Sequence, residues 1–190
     1  ENDYITDLIK VSETINTDQV MSVNKDVANK YLKDQNNILI NKYKSQATNN
    51  NVAIKFENYA LAETQKTIFR TDKKISENIL TNLFAGYEKQ KDLLLITAST
   101  DTSGIAKGTL KDDLEKLTKD TFTSQLSAPK LKIMIDSIPG EIEYMDALKS
   151  VQTEPRKTFY ALKDKNYLPN LTFEQREKIN KEALLAIRPQ

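Results

Sequence analysis

The chain has 190 residues and a formal charge of +1, with no Cys, no His and no Trp, and with only four Gly and five Pro. Without Cys there is no disulfide, thiol nucleophile or thiolate metal site. Without His the commonest general base and transition-metal ligand is missing, so Ser-His-Asp, Cys-His and His-ligated metal mechanisms are excluded within this chain.

The charge is balanced and finely mixed. Only four cations are Arg (Arg70, Arg156, Arg176 and Arg188). Nucleic-acid readers use Arg for bidentate base contacts and a one-signed face for the phosphates, so no nucleic-acid partner is expected. The longest run of large apolar residues is Leu93–Ile96. A membrane span needs about 20 apolar residues, so no transmembrane segment is expected. The length fits a single domain over residues 1–190. A finer subdivision has a long-helix part at 1–98 and a short-helix part at 109–190, joined by loop 99–108. The chain begins at Glu1 rather than Met. That start suggests a protein matured from a precursor, extracytoplasmic or organellar after removal of a leader.

Along the chain, Tyr4, Ile5, Leu8, Ile9, Val11 and Ile15 have helical spacing and predict a helix over 3–16. Val20, Val23, Val27, Tyr31, Ile38, Leu39 and Tyr43 continue the pattern with no Gly or Pro, which predicts one long helix over 18–48. Asn49–Asn51 is the natural turn. Residues 52–57 alternate like a strand, yet Val52, Phe56, Tyr59 and Ala60 also suit a helix. The absence of breakers up to Phe69 favours the helix. Ile75, Ile79, Leu80, Leu83, Phe84 and Tyr87 form a clear helical stripe, and Leu93–Ile96 either extends it or forms a buried strand.

Residues 99–109 hold two Gly in a cluster of Ser and Thr and read as a loop. Thr109 with Asp112 then suggests a capping box for a helix carrying Leu110, Leu114 and Leu117. Ala128-Pro129 restarts the chain. Residues 131–136 fit either a strand or a helix, and Pro139-Gly140 reads as a turn or a helix start. A short helix follows through Ile142, Met145, Leu148 and Val151, and Pro155 opens another turn. Leu168-Pro169-Asn170 is a break. Thr172 with Gln175 is a second capping box before a last helix, which Pro189 stops.

The expected fold is all-α: a helical bundle with a long antiparallel helix pair followed by several short helices. The alternative is an α/β fold with a three-stranded sheet at 52–57, 93–98 and 131–136. The scarcity of Gly argues against that sheet, because tight ligand and βα turns draw on Gly.

The motifs that bear chemistry are incomplete. A phosphate loop needs Gly-x-x-x-x-Gly-Lys-[Ser/Thr], but Lys107 precedes Gly108 and the glycine spacing from Gly104 is one short. Asp101-Thr102-Ser103-Gly104 has a Ser where the paired-aspartate proteases have Gly, and it has no second copy. Ser127-Ala-Pro-Lys130 lacks the downstream Lys-Thr-Gly that a Ser-x-x-Lys acyl-enzyme requires. Asp112-Asp113 and Glu141 with Glu143 are paired acids without the aromatic platform of a sugar cleft. Asn170-Leu171-Thr172 is a glycosylation sequon whose Thr also serves as a cap.

These readings assign no catalytic, cofactor-binding or metal-ligating residue and no cofactor. The place for a small anion is the segment with Ser103, Gly104, Lys107, Gly108 and Thr109. Tyr is favoured at interfaces, and Tyr31, Tyr43, Tyr87 and Tyr160 are the expected interface residues. The composition suggests a non-enzymatic helical protein acting through protein–protein contact, as an accessory or scaffold subunit of a larger assembly. The alternative is a sensor or ligand-binding domain with an anion near 99–109.

Overall fold

The computed structural model describes residues 2–187. Within them the chain forms seven α-helices and one 3-10 turn, with no strand. The fold is all-α. All three segments of the alternative sheet are helical. Residues 52–57 and 93–98 lie in one helix, and residues 131–136 lie in another.

Helix α1 spans Asn2–Thr17 and α2 spans Lys25–Lys44, with the 3-10 turn Met21–Val23 between them. The expected helix over 18–48 is thus broken at its start. Two polar side chains break it by offering the backbone other partners. Asp18 Oδ1 accepts from the N–H groups of Val20 (2.9 Å) and Met21 (2.8 Å). Asn24 Oδ1 caps α2 by accepting from Asp26 N (3.1 Å) and Val27 N (3.2 Å). Helix α3 spans Asn50–Thr100, and Asn49 Oδ1 accepts from Val52 N at 3.0 Å at its start.

The chain divides into two compact units, Glu1–Asn82 and Leu83–Gln190. The boundary lies inside α3. In the first unit, α2 runs antiparallel to the first part of α3. Lys44 meets Glu57, Asn29 meets Asp72, and Ser22 meets Asn78, so one partner number falls as the other rises. The core is Leu8, Ile15, Ala28, Leu32, Ile40, Ala60 and Ile75 around Tyr4. Tyr4 is fully buried. Its hydroxyl donates to Asn36 Oδ1 at 2.6 Å and also lies 3.2 Å from Ala60 O and 3.3 Å from Thr64 Oγ1. Burial pushes the Tyr4 phenol above its usual range.

In the second unit, α4 (Ile105–Phe122), α5 (Ala128–Thr153), α6 (Pro155–Ala161) and α7 (Phe173–Ile187) join the last part of α3. Leu110, Leu114, Thr118 and Phe122 are buried along one stripe of α4. One apolar cluster gathers Ala98, Leu110, Leu114 and Ile138, and another gathers Ala147, Val151, Leu162, Leu171, Ile179 and Ala183. Pro139-Gly140 does not turn the chain but lies inside α5. Ile138, nearly fully buried, ties that part of α5 to the core, and packing outweighs the one backbone hydrogen bond that Pro139 cannot donate. Gly140 is required by fit, because a Cβ there would lie 2.5 Å from the carbonyl oxygen of Asn170.

The capping box at Thr172 forms as read. Thr172 N donates to Gln175 Oε1 (2.9 Å) and Gln175 N donates to Thr172 Oγ1 (3.2 Å). The connection between α6 and α7 is held by Arg176. Its Nη1 donates to the carbonyls of Leu162 (3.1 Å) and Asp164 (3.3 Å), and its Nη2 to those of Tyr167 (2.8 Å) and Leu168 (2.9 Å). Leu168 has a φ of +52°, in the left-handed region that a Leu rarely adopts. Pro189, expected to stop the last helix, and Arg188 lie outside the described residues.

Candidate functional site

The segment expected to be loop 99–109 is mostly helical. α3 runs to Thr100 and α4 begins at Ile105, so only residues 101–104 break the helices. Gly104 is the residue before α4, with a φ of +77° that favours glycine. Lys107, Gly108 and Thr109 lie within α4, so Thr109 does not cap it. The cap comes from Asp101, five residues upstream of Ala106. Its Oδ1 accepts from Ser103 N (2.8 Å) and Ser103 Oγ (2.6 Å), and its Oδ2 accepts from Ala106 N at 2.7 Å.

These hydrogen bonds, led by the one from Ser103 Oγ, hold the Asp101 carboxyl below its usual range. The N–H groups that would cradle an anion therefore already hold a carboxylate. An incoming anion would have to displace that charge. Lys107 is also engaged, with Nζ 2.8 Å from Asp146 Oδ1. Lys149 Nζ donates to Ser99 O at 2.7 Å.

The four tyrosines have different settings. Tyr31 is half-buried against the first unit's core. Tyr43 donates its hydroxyl to Asp7 Oδ2 at 2.8 Å, and its ring meets Tyr4 edge-on at 6.0 Å. Tyr87 is buried, its hydroxyl 3.0 Å from Thr118 Oγ1 and its ring 5.1 Å from Phe122. Tyr160 alone among them is largely exposed, at 65%. Lys163 Nζ sits 4.9 Å from its ring centre, a cation–π contact.

Two clusters of charge were not anticipated from the sequence. Asp7 Oδ2 receives Lys42 Nζ (2.9 Å) as well as Tyr43, and Asp7 Oδ1 receives Lys10 Nζ at 3.2 Å. Lys42 first, then Tyr43 and Lys10, bring the Asp7 carboxyl down to about 2. In the second unit, Lys91 Nζ lies 2.7 Å from Glu88 Oε2 and 3.2 Å from Glu141 Oε2. Burial pulls the Lys91 ammonium down, but the two carboxylates outweigh it and leave its pKa above the usual value. A groove of about 410 Å³ beside it is lined by Leu95, Tyr144, Met145 and Leu148. A lysine held protonated is a poor nucleophile and a poor base. Glu143 is taken up as well, accepting from Asn170 N (2.8 Å) and Asn170 Nδ2 (2.6 Å). Among the described residues no three acidic side chains gather closely enough to hold a metal ion.

The more conspicuous surface feature is apolar. Phe173 is 79% exposed, Ile105 74%, Phe69 73% and Ile133 69%. The sequence singled out neither Phe69 nor Phe173 as a surface residue. The available signal was phase. In the first-unit part of α3 the buried positions are Ala53, Ala60, Thr64, Thr71 and Ile75, and Phe69 falls between them. No helix among the described residues is long and apolar enough to cross a membrane. No family model matches the chain, and no curated protein or solved structure matches it.

Proposed function

We propose that this is a non-enzymatic helical protein that works through protein–protein contact, as an accessory or scaffold subunit of a larger assembly. The observation that carries the reading is the set of large apolar side chains standing in solvent on ordered helices, Phe69, Ile105, Ile133 and Phe173. Burying one such side chain is worth roughly 1.5–3 kcal/mol, so four of them are a substantial unused driving force for association. The internal pairing of several charged side chains supports the same reading. Asp7, Lys91, Asp101 and Arg176 are each held by two or more partners within the chain.

The test compares the chain with Phe69→Ser and Phe173→Ser variants. Light scattering after size exclusion, alone and with an extract of the source cells, reads the association. The expected result is an assembly whose dissociation constant rises at least about tenfold in one of the variants, the equivalent of about 1.4 kcal/mol. A chain that stays monomeric under all conditions, or an assembly indifferent to both substitutions, overturns the proposal.

A further inference from the structure

The middle of α3 contains a stretch that neither unit's core covers. Ile75 and Tyr87 are buried, and no residue between them is. The last ties to the first unit are Asn78, whose Nδ2 donates to Ser22 O at 3.1 Å, and Ile79, packed on its core. The first ties to the second unit are Phe84, with its ring 4.5 Å from that of Phe122, and Tyr87, bonded to Thr118. The turn between, Leu80–Leu83, has no such anchor, and the boundary between the compact units falls inside it.

The local sequence weakens the helix further. Asn78, Thr81, Asn82 and Gly86 all have low helix propensity. Gly86 is not there for fit, because a Cβ at that position would meet nothing within 4 Å. Its backbone freedom therefore costs helix stability with no packing in return. A helix is held in proteins mainly by the face it buries, and this turn buries little.

We infer that the Leu80–Leu83 turn of α3 is a built-in release point, which opens while the cores on either side remain folded. Closed, α3 is one continuous helix. Open, the same residues are a flexible tether between two folded units. Opening of this kind belongs to the low end of the range of local unfolding free energies found within one protein.

Amide hydrogen exchange on the full chain tests this. The amides of Thr81–Ala85 are expected to exchange at least about tenfold faster than those of Thr64–Thr71 and of Leu114–Thr118, and with a weaker dependence on denaturant. Gly86→Ala is expected to slow exchange in the turn about fivefold while leaving the other two stretches unchanged. Gly108→Ala, placed in α4 with equally open space around it, is expected to leave the turn unaffected. Exchange of Thr81–Ala85 in step with both cores overturns the inference. So does an effect of Gly86→Ala spread equally over all three stretches. The wild-type profile decides the matter by itself should a variant fold poorly.

Discussion

Tyr4→Phe removes a single oxygen from the core of the first unit, and the hydrogen bonds around it determine the cost. Three acceptors lie near the hydroxyl, but they do not lose equally. Ala60 O also accepts from Thr64 Oγ1 at 2.7 Å, so both of those groups stay satisfied. Asn36 Oδ1 does not: the Tyr4 hydroxyl, at 2.6 Å, is its hydrogen-bond donor, and Asn36 is itself buried. One buried acceptor is therefore orphaned, at a cost of about 2 kcal/mol. If the first unit unfolds cooperatively, that lowers its Tm by about 10 °C. Asn36→Leu alone leaves the Tyr4 hydroxyl with Ala60 O and Thr64 and is expected to cost less than Tyr4→Phe. The double variant removes both polar partners and is expected to regain most of the loss. The assay is urea unfolding followed by far-UV circular dichroism, run on all four members of the cycle. A Tyr4→Phe loss below about 0.5 kcal/mol refutes the reasoning, and so does a double variant whose loss is the sum of the single losses.

Three further outcomes follow from the geometry. The folded-state pKa of Asp7 is lowered to about 2, so its stabilisation is present above the carboxylate's unfolded range and is lost as pH falls through about 4 toward about 2. Acid titrations of the wild type and Asp7→Asn should therefore differ near neutral pH, with the wild type more stable, and converge near pH 2. High salt should shrink the gap. Gly140→Ala places a Cβ 2.5 Å from the Asn170 carbonyl oxygen and is expected to destabilise the second unit by about 2 kcal/mol. Gly108→Ala meets no atom and should be neutral or stabilising in the same thermal melt.

Much of the helical architecture is legible in the sequence because the apolar stripes are long. Tyr4, Leu8 and Ile15 mark the buried face of α1, and Leu110 and Leu114 that of α4. The second capping box is readable because both of its partners lie within four residues. What is lost is whatever depends on competition or on distance. Asn24 looks like an unremarkable polar residue within a periodic run, yet its side chain takes the N–H groups of Asp26 and Val27 and restarts the helix. Pro139-Gly140 has the local chemistry of a turn, but Asn170, remote in sequence, approaches Gly140 and α5 runs through. At 99–109 composition gave the break but not its extent. Nothing local says that Asp101 reaches past Gly104 to cap α4, which is the contact that occupies the expected anion cradle. The exposed phenylalanines escaped for a related reason, since a Phe near a stripe reads as core until its angular position is known.

The four carbonyls gathered by Arg176 have a further consequence, for how the chain tolerates changes in length. One planar guanidinium with a fixed spacing of donors reaches residues 162, 164, 167 and 168 together. The connection between α6 and α7 is thus metered: each residue in it has one place, and an insertion of even one would put several carbonyls out of reach at once. The turn between α2 and α3 carries no such gauge, since its bonds are local ones from Ser45, Gln46 and Ala47 to the end of α2. Length variation during divergence, and tags or loops grafted by design, are thus better tolerated at 46–49 than at 162–168.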